Sequence, residues 1–209
     1  DVFFDLVVDR LASARRVFPV WRRRYEKSLR NGLMPLSRRY LDGFSAHYNT
    51  IGVVGLPEAA MNIAGVGPEG WGGRGAELVA WMRRTVEYLV GVVEEWSAED
   101  GWLYNVEEVP AESAAYKLAM ADAKLFADRI RSGDVFIPFL DGEPIYSNSV
   151  VPYYVDVPLL RRAEWEGEVQ SVFTGGVMAH FFLGEAADPK ALKKLVYALC
   201  RNTKLVYFS

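Results

Sequence analysis

The chain has 209 residues, 51% of them hydrophobic, which is enough to bury the core of one domain. With 24 basic and 27 acidic residues the formal net charge is −3, so no global basic surface for nucleic acid is expected. The single cysteine excludes an internal disulfide, and no apolar run reaches the roughly 18 residues of a membrane span. The sequence therefore predicts a cytoplasmic protein that binds neither nucleic acid nor membrane.

The first part of the chain has apolar side chains at helical spacing. Residues 1–31 predict a helix with a kink at Pro19 and an end at Asn31 and Gly32. Arg15, Arg22 and their basic neighbours fall on this helix, without an aromatic platform or a known RNA motif beside them. The pattern predicts a solvated basic face rather than an RNA site.

The first conspicuous strand follows. Residues 50–54 are apolar and rich in β-branched side chains, which predicts a strand buried on both faces. Gly55 marks a turn, and residues 57–63 predict a short helix that opens on a proline. Residues 65–75 contain six glycines and predict an exposed loop, and residues 76–97 predict a long amphipathic helix.

The rest of the chain continues the alternation of strands and helices. The predicted order is strand 102–106, helix 110–129, a weak extended segment 145–151, helix 159–171, strand 177–183, helix 189–200 and strand 204–208. Connections of more than a dozen residues between strands favour parallel pairing. With no repeat or linker visible, the sequence predicts one α/β domain over residues 1–209 with about five strands.

A candidate anion site lies where the second strand meets its helix, at Val109-Pro110-Ala111-Glu112-Ser113-Ala114. The first-turn amides of a helix have no partner inside the helix, and together with the helix dipole they attract phosphate. An ordinary capped helix, with an acid favoured by the dipole, accounts for the same residues. An acid in the first turn also repels phosphate unless it points away.

Two further segments carry polar or permissive residues at turns. The hydroxyl and amide groups of Tyr146, Ser147, Asn148 and Ser149 suit contacts to a ribose or a phosphate, although a polar turn between prolines explains them equally. Thr174-Gly175-Gly176 precedes the strand 177–183, where glycines allow either close approach of a ligand or a plain strand-entry turn.

In their order and spacing, the segments 49–59, 109–113 and 173–182 resemble the second half of the barrel of anaerobic (class III) ribonucleotide reductases. These are glycyl radical enzymes that make deoxyribonucleotides without oxygen. The resemblance extends from about Arg22 to Ser209. It implies that the chain is about five strands of a ten-stranded α/β barrel.

The resemblance also implies substrate contacts. Positions 110–112 match a Pro-Ala-Glu of the family, which implies that Pro110, Ala111, Glu112, Ser113 and Ala114 form a substrate-phosphate loop. Residues 146–149 are similar to a Tyr-Thr-Asn-Ser element of the family and are implied to bind substrate as well. A serine stands at position 147 where threonine is usual, which leaves the contact at that position in doubt.

The family's radical machinery has no counterpart in these residues. The sequence contains no finger-loop cysteine, no zinc-binding cysteines and no glycyl-radical motif, so no catalytic or metal-binding residue is predicted here. The resemblance places the glycyl radical and the zinc outside this chain. Cys200 follows Leu199 on an amphipathic helix and is expected to be a small buried hydrophobe.

The resulting expectation is an oxidoreductase component that is inactive alone. It contributes barrel wall and phosphate loop to an enzyme that converts ribonucleoside triphosphates to deoxyribonucleotides. The implied partners are that substrate, the remaining reductase chain or subunit, and a radical-SAM activating enzyme. Two alternatives stay open: a non-catalytic nucleotide-binding or scaffold module derived from such a barrel, and an unrelated α/β protein with similar glycine turns.

Overall fold

The computed structural model describes residues 2–41, 43–184 and 186–209. Asp1, Asp42 and Glu185, and with Asp1 the first residue of the predicted helix 1–31, lie outside the described residues. The helices are α1 (Val2–Arg15), α2 (Phe18–Arg30), α3 (Pro35–Tyr40), α4 (Leu56–Ala64), α5 (Trp71–Asp100), α6 (Glu112–Leu125), α7 (Ala127–Arg131), α8 (Leu159–Gln170) and α9 (Pro189–Asn202). The strands are β1 (Tyr48–Val53), β2 (Leu103–Glu108), β3 (Phe139–Leu140) and β4 (Glu143–Pro144). None of the helices in these ranges has the length and apolar character needed to cross a membrane.

The predicted N-terminal helix is two helices. The break falls at residues 16–17, and Pro19 lies in the first turn of α2 rather than at a kink. Proline fits this position because the first-turn amides of a helix need no intrahelical acceptor. Asn31 ends α2 as predicted. The short helix α3, which again opens on a proline, was not predicted.

The chain divides into two compact units, residues 1–50 with 91–105, and residues 51–90 with 106–209. The boundary crosses α5, β1 and β2. Each unit has its own packing.

Two arginines organise the first unit. Arg15 binds the Asp100 carboxylate through two nitrogens at 2.6 and 3.0 Å. Arg22 donates to Asn49 Oδ1 at 3.1 Å, and its guanidinium lies 5.0 Å from the centre of the Trp102 ring. Two arginines of the basic face that was predicted to be solvated therefore take part in packing. Planar guanidinium groups suit both bidentate pairs and contacts with aromatic faces.

A buried tryptophan anchors the second unit. Residues 65–75 were predicted to be an exposed loop, but α5 begins at Trp71, which is fully buried with its indole N–H directed at Met61 Sδ, 3.2 Å away. One turn later, Gly75 allows the Trp165 ring so close that a Cβ on Gly75 would lie 2.3 Å from it. The glycines of this segment therefore serve helix packing as well as a turn, and the loop prediction was wrong.

The strands form two small sheets, one of β1 with β2 and one of β3 with β4. The second is antiparallel and pairs Phe139 with Pro144 and Leu140 with Glu143. The prediction that the first strand is buried on both faces was wrong. Exposed and covered residues alternate along β1, which is the pattern of a strand with one covered face among the described residues.

The predicted strands 145–151, 177–183 and 204–208 are not regular strands. Isolated backbone hydrogen bonds remain where ladders were expected. Phe181 N–H donates to Ser209 O and Ser209 N–H donates to Ala179 O, each at 2.9 Å. These two hydrogen bonds have the pattern that joins neighbouring parallel strands. Side-chain partners interrupt the ladders elsewhere, as where the Val206 amide donates to Gln170 Oε1.

The close approach of α8 to the C-terminal segment depends on Gly167. A Cβ there would lie 2.7 Å from Leu205 N and 2.8 Å from Lys204 C, which are backbone atoms that cannot turn aside. We expect Gly167→Ala to lower the free energy of unfolding by about 1–3 kcal/mol through overpacking. Urea unfolding measures the change.

Gly91→Ala is the matched control, because Gly91 lies inside α5 with nothing within 4 Å of the added Cβ. Alanine should stabilise that helix by roughly 0.5–1 kcal/mol. Equal effects of the two substitutions would contradict the close contact at Gly167.

Candidate functional site

The carboxyl ends of β1 and β2 lie together. Gly52 faces Val109 so closely that a Cβ on Gly52 would be 2.6 Å from Val109 Cγ1. A small cavity of about 10 Å³, room for about one water molecule, opens beside these ends. It is lined by Val53, Val54, Leu56, Pro57, Glu108, Ser147, Asn148, Ser149, Val150 and Phe173. Strands whose carboxyl ends share an edge run in the same direction, and such edges carry the ligand sites of α/β proteins.

The predicted phosphate loop follows directly after β2. Helix α6 begins at Glu112, two residues later than predicted, and no side chain caps it. The Ala111 amide donates to Val109 O at 2.9 Å, whereas the next three amides have no acceptor among the described residues. Glu112, Ser113 and Ala114 are exposed. The first turn of α6 is therefore open to an anion approaching from solvent.

The second predicted segment, residues 146–149, is largely occupied by the protein itself. The Tyr146 hydroxyl donates to Asp122 Oδ2 at 2.8 Å, and the buried Ser147 hydroxyl donates to Glu58 Oε1 at 2.6 Å. Asn148 lines the cavity, and its Oδ1 has no hydrogen-bond partner among the described residues. Of this segment, the Asn148 amide is the group left free to meet a ligand.

Glu58, which sequence reasoning missed as a site residue, holds this segment in place. It lies in the first turn of α4, is 1% exposed, and accepts from Ser147 N, Ser147 Oγ and Tyr154 Oη at 3.2, 2.6 and 2.6 Å. Burial raises the pKa of Glu58 above its ordinary value, and the hydrogen bonds oppose that rise. In the sequence this residue is indistinguishable from an ordinary first-turn acid.

Two more buried carboxyl groups lie nearby. Glu108, the last residue of β2, accepts from Met178 N at 3.1 Å, and its Oε1 has no partner among the described residues. Glu166 on α8 accepts from Val150 N at 3.3 Å and from Val151 N at 2.8 Å. Burial, and then the charge of Glu166, raise the pKa of Glu108 well above its ordinary value. Burial raises the pKa of Glu166 to about 8.

Residues 174–178 run beside β2. The Val106 amide donates to Thr174 Oγ1 at 3.2 Å, Gly175 N–H donates to Val106 O at 2.7 Å, and Glu108 N–H donates to Gly176 O at 2.9 Å. These contacts advance in the same direction along both segments. The predicted glycines thus have a structural role, since a Cβ on Gly176 would lie 3.3 Å from Glu107, on the face of β2 opposite to Glu108.

The described residues do not fit a zinc ion. Within the ranges 2–41, 43–184 and 186–209, no three His, Cys, Asp or Glu side chains come together as ligands. Cys200 is exposed on α9, which corrects the prediction of a buried thiol; the buried residue of that turn is Leu199. No step of a reaction is assigned to a metal or to this thiol.

Comparison with known proteins gives one consistent result. A family model described as anaerobic ribonucleoside-triphosphate reductase matches residues 1–209. No curated protein matches the chain. Among solved structures, an anaerobic ribonucleotide reductase is 26% identical with a TM-score of 0.71, covering 90% of this chain and 28% of that one.

The enzyme from Thermotoga maritima is also similar to this chain. Its structure with glycerol in the active site is 26% identical with a TM-score of 0.69, covering 90% of this chain and 28% of that one. Its structure with dATP bound in the specificity site is 27% identical with a TM-score of 0.69, covering 90% and 29%. The chain thus spans less than a third of these relatives.

The hydrogen bonds of Glu58 yield a stability prediction. Tyr154→Phe removes one of the three hydrogen bonds to Glu58 Oε1 and leaves a buried acceptor less satisfied. We expect the free energy of unfolding to fall by about 1–3 kcal/mol. Chemical denaturation near neutral pH measures the change.

The control for this prediction is Tyr153→Phe, because the half-exposed neighbour Tyr153 makes no hydroxyl hydrogen bond to the described residues. Its unfolding free energy should change by less than about 0.5 kcal/mol. If the two variants are equally stable, the bond from Tyr154 to Glu58 contributes nothing.

Proposed function

Because this chain belongs to the anaerobic ribonucleoside-triphosphate reductase family, we propose that it forms part of the catalytic barrel of such a reductase. In this role it contributes barrel wall and a substrate-phosphate loop to the conversion of ribonucleoside triphosphates to deoxyribonucleotides. The observation that carries the proposal is the uncapped first turn of α6, which follows β2 at the edge where the strand ends meet.

The extended segments support the barrel. Gly55 N–H donates to Ser147 O at 2.8 Å beyond the end of β1, β2 pairs with β1, and residues 174–176 bond to β2. Residues 179–181 in turn bond to Ser209. Five neighbouring segments in this order are what half of a ten-stranded barrel requires, although only β1 and β2 among them are regular strands. We propose that the single domain predicted for the chain is this half-barrel.

The proposed binding role follows from the groups at the carboxyl edge. The amides of residues 112–114 point out of the first turn of α6 and suit the substrate phosphates, and the free Asn148 amide suits a second polar contact. Pro110 and Ala111 bring no large side chain between the backbone and an approaching phosphate. Tyr146, Ser147 and Ser149 hold the second segment in place beside this loop.

The chemistry itself belongs to groups outside the described residues. In the family a glycyl radical supplies hydrogen-atom abstraction, and no residue here has been assigned that role. We propose that the remaining reductase chain or subunit provides the radical and the zinc, and that a radical-SAM activating enzyme acts on that part. Since ribonucleoside triphosphates are made in the cytoplasm, we propose that the protein works there.

One observation favours the alternative of a non-catalytic nucleotide-binding or scaffold module. Glu112 places an exposed carboxyl group in the first turn of the proposed phosphate loop, and an acid there opposes phosphate unless it turns away. A module that keeps the barrel wall but has lost its affinity for substrate would tolerate a carboxyl group at Glu112. Binding measurements separate the two functions.

The proposed phosphate loop is tested by adding one negative charge to it. Ala114→Asp puts a carboxylate in the first turn of α6, where the dipole stabilises the helix but the charge repels phosphate. We expect the affinity for ribonucleoside triphosphates, measured by equilibrium dialysis on the purified chain, to fall at least about tenfold. Ala121→Asp makes the same charge change at an exposed position farther along α6 and should leave the affinity within about twofold.

Equal affinities of these two variants would remove the phosphate loop from the proposal. No binding by the folded wild-type chain favours the scaffold. Reduction of ribonucleotides by the purified 209-residue chain alone would contradict its role as one part of a larger enzyme.

A further inference from the structure

We infer that Asp122 is a positioning residue, which acts through Tyr146 to hold the proposed phosphate loop and Asn148 at the spacing of one ligand. The Tyr146 hydroxyl donates to Asp122 Oδ2 at 2.8 Å. Asp122 lies on α6, whose first turn belongs to the loop, and Tyr146 comes two residues before Asn148. The inference rests on the proposed function for its ligand, whereas the hydrogen bond that carries it does not.

Helix α6 relates the position of Asp122 to that of the loop. Asp122 is in the third turn, about 12–15 Å along the axis from the first-turn amides at the helix rise of about 1.5 Å per residue. Between them Ala115 and Ala119 are buried, so the helix has a fixed face toward the core. A regular helix of this length moves as one body, because each turn is bonded to the next. Fixing its third turn therefore fixes the direction in which its first turn faces.

Among the described residues, two hydrogen bonds join α6 to the segment that contains β3, β4 and Asn148, and each comes from a tyrosine hydroxyl. Tyr146 donates to Asp122, and Tyr116 on α6 donates to Glu143 Oε2 at 3.0 Å. The other side-chain anchors beside Asn148 come from α4 and α8. The hydrogen bonds that relate the loop directly to Asn148 are therefore the two tyrosine bonds.

The two tyrosine bonds differ in their access to water. Tyr116 is exposed, and water readily replaces its hydroxyl as the partner of the carboxylate. Tyr146 is half-buried, and its ring lies against Gly55, where an added Cβ would be 3.2 Å from Tyr146 Cγ. Burial, and then the bond to Asp122, raise the pKa of the Tyr146 hydroxyl, which keeps it protonated as a donor. The sheltered bond to Asp122 is therefore the one that fixes the spacing.

A preset spacing matters only for a ligand that touches both places. A ribonucleoside triphosphate places its phosphates on the loop amides and its nucleoside part beside the Asn148 amide, so a fixed spacing removes an ordering cost from binding. Inorganic tripolyphosphate carries the phosphates alone and meets only the loop. Loss of the bond between Tyr146 and Asp122 should therefore weaken binding of the first ligand and spare binding of the second.

The first readout compares these two probes by equilibrium dialysis on the purified chain. Tyr146→Phe removes the hydroxyl but keeps the ring packed on Gly55. We expect its affinity for ATP, CTP, GTP and UTP to fall about fivefold to tenfold, and its affinity for tripolyphosphate to stay within about twofold of wild type. A merely structural loosening of α6 would weaken binding of both probes alike.

Asp122 itself is tested by a conservative and a non-conservative substitution. Asp122→Asn keeps an oxygen that accepts from Tyr146 and should bind the nucleotides within about twofold of wild type. Asp122→Ala should match Tyr146→Phe, and the variant with both substitutions should bind no more weakly than either alone. Removal of a negative charge does not weaken binding of an anion, and at this distance along α6 the charge is largely screened. A loss of affinity in Asp122→Ala therefore reports the lost hydrogen bond.

The second readout needs no ligand. Hydrogen exchange followed by mass spectrometry reports the protection of peptides covering residues 146–151. We expect these peptides to exchange about tenfold faster in Tyr146→Phe and Asp122→Ala than in wild type, and at the wild-type rate in Asp122→Asn. This readout reports the spacing whether or not a nucleotide binds.

Tyr116→Phe is the matched control, because it removes the other tyrosine-to-carboxylate bond of α6 at an exposed position. It should keep the wild-type affinities and exchange rates.

Equal losses of nucleotide and tripolyphosphate affinity in Tyr146→Phe overturn the inference, and so does unchanged exchange in that variant. Faster exchange in Tyr146→Phe, together with a folded wild type that binds neither probe, supports the hydrogen-bonded spacing and instead overturns the proposed function. Nucleotide binding that is lost in Ala114→Asp but unchanged in Tyr146→Phe keeps the proposed function and overturns the inference.

Discussion

Two side chains of α8 hold the irregular segment 150–155 in place of a strand ladder. Glu166 accepts its first two amides, and Arg162 donates to the carbonyl oxygens of Val151 and Pro152 at 2.6 and 3.1 Å. Backbone groups in an interior must be paired, and here a carboxylate and a guanidinium one turn apart pair the donors and the acceptors of one segment. Val150, which lines the cavity, is therefore held by this helix, whereas Ser147 on the other side of Asn148 is held by Glu58.

The two faces of the strands β1 and β2 differ in burial. On β2 the face that carries Tyr104, Val106 and Glu108 is buried, whereas Asn105 and Glu107 on the other face are partly exposed. On β1 the residues of one face are exposed throughout. A strand with β-branched residues on both faces and cover on only one is compatible with the barrel wall proposed above.

The sequence predicted the long elements better than the edges between them. Helices α4, α6 and α8 and strands β1 and β2 follow from local periodicity and turn residues, so they were found within a few residues. The start of α5 was mispredicted because Gly75 makes room for the ring of Trp165, a residue that is distant in sequence. The strand predicted at 177–183 failed because side chains, such as Glu108 at the Met178 amide, replace ladder partners. The buried acids of the site could not be identified from the sequence. Burial, which shifts their pKa, depends on tertiary contacts.

Burial of the carboxyl groups lowers the free energy of unfolding through their desolvation penalty. Their presence despite this penalty argues for a positional role. Glu58 and Glu108 each have one oxygen without a partner among the described residues, and both have a raised pKa from burial. Apolar side chains of similar volume would avoid this desolvation penalty and often stabilise a fold. What they would not provide is a directional acceptor that fixes Ser147, Met178 and the strand end at the cavity. Perturbed carboxyl groups gathered at the carboxyl edge of a sheet are therefore better explained by the geometry they impose on the proposed binding site than by the stability they give.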